Sequence, residues 1–243
     1  MKVDILAIGV HPDDVELSCS GTLLRHIAKG KKVGLLDLTR GELGTRGSAE
    51  IREKEARESA GKMGVLFREN AGMADGFFTC LPENILKIVR ILRWCRPEIV
   101  LANAPDDRHP DHGRAAKLTA GACFYSGLVK IKTEDAGGQP QEQWRPSAVY
   151  HYIQDKHLVP DFVVDISDFM EEKMALVQTF RSQFYLPGEE EFSGELNTPI
   201  SGSDFMEFLR AKARDFARPI GKTYAEGFIA ARTIGVDDLF DLI

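Results

Sequence analysis

Two short motifs combine histidine, proline and aspartate in a pattern that suits a metal site. They are His11-Pro12-Asp13-Asp14 and His109-Pro110-Asp111-His112. Imidazole nitrogens and carboxylate oxygens are good zinc ligands, and proline stiffens each turn because it fixes φ and lacks an N–H. Three ligands from the two turns, with a fourth position open, would form a catalytic zinc site that acidifies a bound water. A carboxylate outside the ligand set could accept the proton of that water.

Both motifs follow segments that are predicted to be buried strands, 3–10 and 98–103. These apolar runs are long enough for a strand and too short for a helix. Ligands bind at the carboxyl ends of the strands in open α/β sheets, so the motifs lie where that rule places chemistry. Further strands are predicted at 33–39, 65–68, 148–153 and 162–166. Helices are predicted at 14–29, 49–63, 83–95, 113–126, 168–180 and 203–216.

This alternation of strands and helices predicts an α/β fold with a Rossmann-like, mostly parallel sheet and helices on both faces. The active site is expected at the C-terminal ends of the strands. A dinucleotide-binding protein would carry G-x-G-x-x-G in the first βα turn, but only Gly9 of that pattern is present. Asp13 and Asp14 would repel a phosphate there, and Asp37, at the position of a ribose-binding acid, is not enough to rescue this alternative.

Composition narrows the class of protein. The 243 residues, 43% of them apolar, suit a single domain spanning 1–243. A net charge of −6 without a basic block argues against nucleic acid as a partner. No apolar stretch approaches the ~20 residues of a membrane span, and we expect a cytoplasmic protein. The four cysteines contain no CxxC pair and are expected to be reduced.

The motifs resemble the LmbE-type (PIG-L) zinc-dependent N-acetylglucosaminide deacetylases. The resemblance covers nearly the whole chain and is strongest with the deacetylases of bacillithiol synthesis. Four stretches carry it: HPDDVELSCSGTL (11–23), DLTRGELGTRGSAEIR (37–52), HPDH (109–112) and YAEGF (224–228). The first and third are family-wide, whereas the second is more specific to that subgroup, so the substrate prediction depends mainly on it.

The resemblance implies a role for each member of the first motif. His11 and Asp14, together with His112, match the zinc ligands, with one Zn²⁺ per subunit. Asp13 matches the general base that deprotonates the attacking water. Spacing alone does not decide which of the two adjacent carboxylates binds the metal, and a His-Asp-His set also tolerates iron or manganese.

Further positions are assigned by the same resemblance. His109 matches the histidine that stabilises the oxyanion, and Asp111 matches a carboxylate that orients it and would favour its imidazolium form. Arg52 matches a substrate-binding arginine, although an exposed charge on a helix is the simpler alternative. Glu42 and its glycine-containing loop, 42–48, are expected to line the sugar site. Arg108, like Arg52, could bind carboxylates of the substrate.

The predicted reaction is removal of the N-acetyl group from a small-molecule amino sugar, N-acetylglucosaminyl-malate. Two alternatives stay open: a related hydrolase acting on another acetylated amino sugar or amide, and a non-catalytic binding protein. The resemblance also implies a homo-oligomer, a trimer or hexamer. The acidic segment 187–199 is rich in turn formers, and its composition suggests a cover over the site.

Overall fold

A mostly parallel β-sheet forms the centre of the computed structural model, which describes residues 1–185, 188, 192 and 194–242. The strands are β1 (Ile5–Gly9), β2 (Val33–Asp37), β3 (Phe67–Asn70), β4 (Ile99–Ala102), β5 (Ala148–Tyr152), β6 (Phe162–Asp165) and β7 (Ala225–Ala230). The helices are α1 (Asp14–Ser18), α2 (Ser20–Ala28), α3 (Ala49–Met63), α4 (Pro82–Cys95), α5 (Pro110–Ser126), α6 (Met170–Val177) and α7 (Ser203–Ala217).

The strand order is β3-β2-β1-β4-β5-β7-β6. The first five strands of this order run parallel, and β7 pairs antiparallel with both β5 and β6. The prediction of a mostly parallel Rossmann-like sheet is therefore confirmed. The order reverses between β1 and β4, and the crevice at such a reversal is where ligands bind in open α/β sheets.

Alternate residues of the buried strands pack against helices on opposite faces, as the two-residue period of a strand requires. On one face, Leu6 and Ile8 of β1 pack in a cluster with apolar residues of α4 and α5. On the other face, Ile5 and Ala7 pack in a cluster with residues of α1, α2 and α6. Helices on both faces, as predicted, thus support the sheet beneath the loops at its carboxyl edge.

Local signals fix the ends of the helix that carries Arg52. Helix α3 begins after Ser48, whose hydroxyl accepts a hydrogen bond from the Ile51 N–H at 3.3 Å. The helix ends at Gly64, which adopts φ 79°, a left-handed conformation that glycine permits at little cost. The predicted helix 49–63 agrees with these bounds. Arg52 lies in the first turn, where it faces the carboxyl edge of the sheet.

Several predicted bounds differ from the structure. The strand predicted at 65–68 is Phe67–Asn70, and the helix predicted at 113–126 begins at Pro110. Two further helices differ more. The helix predicted at 14–29 is two helices, interrupted at Cys19, because the N–H groups of Gly21 and Thr22 at the start of α2 donate to the Glu226 carboxylate. The helix predicted at 168–180 is shorter, Met170–Val177, and follows a 3₁₀ turn. Strand β7 was not predicted, because Glu226, buried and paired with Lys173 at 2.6 Å, interrupts its apolar pattern.

The predicted cover, 187–199, includes positions 187, 189–191 and 193, which lie outside the described residues. Of the described remainder, Thr198 and Pro199 line a cavity at the carboxyl edge of the sheet. Across the part of the chain that the structure describes, no helix combines the length and apolarity needed to cross a bilayer.

Candidate active site

The two His-Pro-Asp turns face the same cavity, of about 350 Å³, at the carboxyl edge of the sheet. The first turn follows β1, and the second lies at the start of α5, after β4. Because β1 and β4 are neighbours in the sheet, two motifs that are far apart in the chain meet here. Loops after β2, β3 and β5 complete the wall, and they contribute Gly44, Asp75 and Gln154.

His11, Asp14 and His112 form one cluster, with a possible ligand atom of each within 4.8 Å of the others. His112 Nε2 lies 3.3 Å from Asp14 Oδ1, and His11 Nδ1 lies 3.8 Å from Asp14 Oδ2. Two imidazoles and a carboxylate in this arrangement fit a divalent ion of the zinc type. Possible ligand atoms of His11, His109 and Asp111 also lie within 4.8 Å of one another, and this second group shares His11 with the first.

In each histidine of the cluster, the ring nitrogen that faces away from Asp14 is hydrogen-bonded to another carboxylate. His11 Nε2 donates to Asp75 Oδ1 at 3.0 Å, and His112 Nδ1 donates to Asp107 Oδ2 at 2.5 Å. Metal-binding histidines commonly donate their second N–H to a carboxylate in this way, which fixes the ring and its tautomer. The surroundings of the cluster therefore also fit a metal. Sequence reasoning missed both carboxylates, although each lies in a loop after a parallel strand.

Besides its contacts with the two imidazoles, Asp14 accepts four hydrogen bonds from backbone and amide N–H groups. Its Oδ2 accepts from the backbone N–H of Val10 at 2.8 Å and of His11 at 3.0 Å. The side-chain amides of Asn103 and Gln154 donate to Oδ2 and Oδ1, at 2.9 and 2.7 Å. Burial alone would raise the pKa of Asp14, but the neighbouring imidazoles lower it well below its ordinary value. The carboxylate is thus ionised and pre-oriented, as a metal ligand must be.

Neighbouring carboxylates favour the charged form of both imidazoles in the cluster. Burial disfavours their charge, but carboxylates outweigh it, so the pKa of His11 rises to about 9 and that of His112 to about 10. Asp14 and Asp75 raise the pKa of His11, whereas Asp14 and Asp107 raise that of His112. A bound metal would replace these protons, so metal binding should release protons and weaken as the pH falls.

Asp13 differs from Asp14 in its backbone conformation, its partner and the direction in which its pKa is shifted. Its backbone adopts φ 149°, a conformation that residues other than glycine rarely occupy. Its Oδ2 accepts from Arg52 Nη2 at 2.7 Å, and both side chains are almost fully buried. Burial raises the pKa of Asp13 to about 7, with Arg52 opposing the rise. A carboxylate with a pKa near neutrality can accept and return a proton during turnover.

Arg52 is buried, so the alternative of an exposed helix charge does not hold. Besides Asp13, its guanidinium donates to the carbonyl oxygens of Pro12 at 3.2 Å and Gly41 at 3.4 Å. Gly41 has φ +65°, and a Cβ there would lie 2.2 Å from Arg52 Nη1. The glycine therefore makes room for the arginine, which lines the cavity beside the expected base.

His109 and Asp111 are close in space, but their contact differs from the expected one. His109 Nδ1 accepts from the backbone N–H of Asp111 at 3.3 Å. The Asp111 carboxylate instead accepts from the Gly76 N–H and from Arg114 Nη1, both at 2.9 Å. Burial and the nearby cationic imidazoles lower the pKa of His109. The structure therefore favours a neutral His109, with its proton on Nε2, over the expected imidazolium.

The remaining predicted substrate contacts separate into one residue that lines the cavity and one that does not. Arg108 lines it, with 54% of its side chain exposed and its Nε hydrogen-bonded to Asp155. Glu42 is exposed and lies outside the lining; its carboxylate accepts from the Asp75 N–H at 3.0 Å and thereby supports the loop after β3. The neighbouring Leu43, Gly44 and Thr45 line the cavity in its place.

Comparison with known proteins identifies the family of this chain. The family model described as "PIG-L: GlcNAc-PI de-N-acetylase" matches residues 6–123. A diacetylchitobiose deacetylase from Thermococcus kodakarensis is 33% identical over 235 residues, covering 92% of this chain and 81% of that protein. The chain therefore belongs to the PIG-L family, and it is a hydrolytic N-deacetylase.

Solved structures of two proteins share this fold over nearly the whole chain. The conserved protein TT1542 from Thermus thermophilus is 36% identical, with a TM-score of 0.83 and coverage of 97% of this chain and 98% of that one. The N,N'-diacetylchitobiose deacetylase from Pyrococcus horikoshii, solved with its inhibitor MPG, is 28% identical with a TM-score of 0.77; coverage is 98% and 88%. Both extend the similarity over nearly the full length of this chain.

Proposed function

We propose that this protein is a zinc-dependent hydrolase that removes the N-acetyl group of an N-acetylglucosamine glycoside, with N-acetylglucosaminyl-malate as its preferred substrate. One observation carries the proposal: a His/Asp/His cluster and a separate carboxylate with a pKa of about 7 face the same cavity. The cluster supplies a place for the metal, and the separate carboxylate supplies a base.

The metal would be held by His11, Asp14 and His112. When bound there, zinc would supply a Lewis acid and lower the pKa of water towards ~7. Hydrogen bonds fix Asp14 and both rings with their possible ligand atoms within 4.8 Å of one another, so little rearrangement would be needed on binding. Zinc is favoured over harder cations because two of the three donors are imidazole nitrogens.

Asp13 would act as the general base. It accepts a proton from the attacking water as the oxygen adds to the acetyl carbonyl carbon. It then returns that proton to the amide nitrogen as the C–N bond breaks, which leaves acetate and a free amine. Arg52 holds the Asp13 carboxylate in place and keeps a useful fraction of it ionised at neutral pH. General acid–base catalysis of this kind contributes about 10²–10⁴-fold to a rate.

His109 would stabilise the tetrahedral intermediate as a neutral donor. Because Nδ1 already accepts from the Asp111 N–H, the ring proton is on Nε2. That N–H can donate to the oxyanion that develops on the acetyl oxygen. Removing one such donor typically costs about 2.7–4 kcal/mol of transition-state stabilisation.

The malate preference depends on Arg108 and on the family subgroup that residues 37–52 resemble. Both arginines pair with an aspartate, Arg52 with Asp13 and Arg108 with Asp155, but Arg52 is buried whereas Arg108 is half exposed. We therefore assign a substrate carboxylate to Arg108. A neutral disaccharide is the second candidate, since a diacetylchitobiose deacetylase is 33% identical to this chain. The two candidate substrates differ in charge, so an assay with both can distinguish between them.

Acetate release should be measured in metal-defined buffer with N-acetylglucosaminyl-malate, diacetylchitobiose and an N-acetylglucosaminyl inositol. We expect kcat/KM to be highest with the malate glycoside. Arg108→Gln should raise KM for that substrate and leave the neutral substrates unaffected, which serve as the matched control. A higher kcat/KM with diacetylchitobiose, or an equal effect of Arg108→Gln on all three, would remove the malate assignment.

A further inference from the structure

We propose that Asp107 is a positioning residue that delivers His112 Nε2 to the metal, and that the loop after β5 fixes Asp107 in turn. This inference deepens the proposed function and rests on its metal site. Asp107 belongs to neither His-Pro-Asp motif, yet its side chain is fully buried beside His112, with 0% exposure. A buried carboxylate is stable only when hydrogen bonds replace its lost contacts with water. The groups that bind Asp107 therefore indicate its role.

The two oxygens of Asp107 have different partners. Oδ1 accepts three backbone N–H groups, from Arg108 at 2.8 Å, Lys156 at 2.7 Å and Asp155 at 3.3 Å. Oδ2 accepts from His112 Nδ1 at 2.5 Å. The three backbone hydrogen bonds to Oδ1 fix the orientation of the carboxylate, so Oδ2 is held facing His112 Nδ1. The proton of a neutral His112 must then be on Nδ1, which leaves the lone pair of Nε2 free.

The loop after β5 controls a second ligand as well. Gln154 immediately precedes the N–H groups that hold Asp107, and its side-chain amide donates to Asp14 Oδ1 at 2.7 Å. His112 Nε2 lies 3.3 Å from the same Asp14 oxygen. Two of the three expected metal ligands are therefore oriented from one short segment, 154–156. This arrangement explains why a loop with no metal ligand of its own lies against the cluster.

Asp107→Asn tests the role through the tautomer of His112. If the asparagine oxygen keeps the three backbone N–H groups, its NH₂ group faces His112 Nδ1. Nδ1 must then accept, the ring proton moves to Nε2, and Nε2 loses the lone pair that a metal needs. We expect zinc affinity, measured by competition with a chelator, to fall about 10–100-fold, as for other orienting partners of metal-bound histidines.

Asp106→Asn is the matched control. Asp106 is the preceding residue, carries the same charge and is 61% exposed, paired with Lys156 Nζ at the surface. If proximity of negative charge were sufficient, both variants would weaken zinc binding equally. We expect Asp106→Asn to leave zinc affinity essentially unchanged. Equal losses in the two variants would overturn the positioning role.

A structural effect on folding must be distinguished from an effect on the metal. Thermal unfolding of each protein should be recorded with and without zinc. A positioning role reduces the stabilisation that zinc adds, because that stabilisation depends on affinity. If Asp107→Asn lowers the Tm of the zinc-free protein but leaves its zinc affinity and its Co²⁺ absorption spectrum unchanged, Asp107 serves the fold alone and the proposal is wrong.

The wild-type protein gives a test that does not require any variant to fold. In a ¹⁵N spectrum of zinc-loaded protein labelled at its six histidines, His112 should be protonated at Nδ1 and bound through Nε2. His11, which donates Nε2 to Asp75, should show the reverse pattern. Protonation of His112 at Nε2 would overturn the proposal. Failure of the wild type to bind zinc at all would instead refute the proposed function.

Discussion

Replacing Arg52 by glutamine should shift the pH dependence of catalysis in a defined direction. Asp13, the proposed base, would be active only when ionised, and the Arg52 guanidinium, 2.7 Å from its carboxylate, favours that ionised form. When the Arg52 guanidinium is removed, burial should raise the pKa of Asp13 further above its present value of about 7. The acid limb of kcat/KM should therefore move to higher pH, because a larger fraction of Asp13 stays protonated near neutrality.

The size of the shift follows from the contact. A hydrogen bond to a charged group contributes about 1.5–3 kcal/mol, which corresponds to about 1–2 pKa units. Both side chains are 6% exposed, so solvent screens the pair little. With the pKa of Asp13 raised by that amount, the ionised fraction at pH 7 would fall by roughly 5- to 50-fold. Activity at neutral pH should fall by the same factor and recover partly in alkaline buffer.

The assay is acetate release, with kcat/KM measured across pH at saturating zinc. Arg57→Gln is the control, because Arg57 is a surface residue of the same helix that pairs with Glu53. Its profile should coincide with that of the wild type. An Arg52→Gln enzyme whose acid limb coincides with the wild-type one would refute the link between Arg52 and the ionisation of Asp13.

Two further predictions concern the support of the site. Gly41→Ala should push Arg52 away from Asp13, because the new Cβ would lie 2.2 Å from Arg52 Nη1. The acid limb of kcat/KM for this variant should also move to higher pH. An unchanged pH profile would contradict the inferred contact between Gly41 and Arg52. Arg68→Leu should lower the free energy of unfolding by about 3–5 kcal/mol, since Arg68 pairs with buried Glu16 at 2.6 Å and Asp37 at 2.7 Å. Denaturant unfolding measures this, and a loss below about 1 kcal/mol would count against it.

The positions of the expected ligands could be predicted because their motifs follow apolar strands. Segments 3–10 and 98–103 have the length and composition of buried parallel strands, and such strands end at one edge of a sheet. That argument alone places His11 and His112 on the same side of the molecule. The choice of Asp14 over Asp13 as ligand required the family resemblance, and the two environments in the structure are consistent with it.

The orienting residues could not be predicted in the same way. Asp75, Asp107 and Gln154 are single polar residues in loops, and such residues are common on any protein surface. Their importance comes from contacts between distant parts of the sequence, as between Gln154 and Asp14. A weaker signal was present, because each follows a parallel strand. Strand β7 was missed for a different reason, since a buried ion pair at Glu226 disguises its apolar pattern.

The assignment of Asp13 as base and of His11, Asp14 and His112 as metal ligands is tested most directly by one comparison. Zinc content and acetate release should be measured on the same preparations of wild-type protein and Asp13→Asn. The account predicts one zinc per chain in both proteins and a fall in kcat of about 10²–10⁴-fold in the variant. Near wild-type turnover by zinc-loaded Asp13→Asn would contradict the account, and so would loss of zinc from that variant.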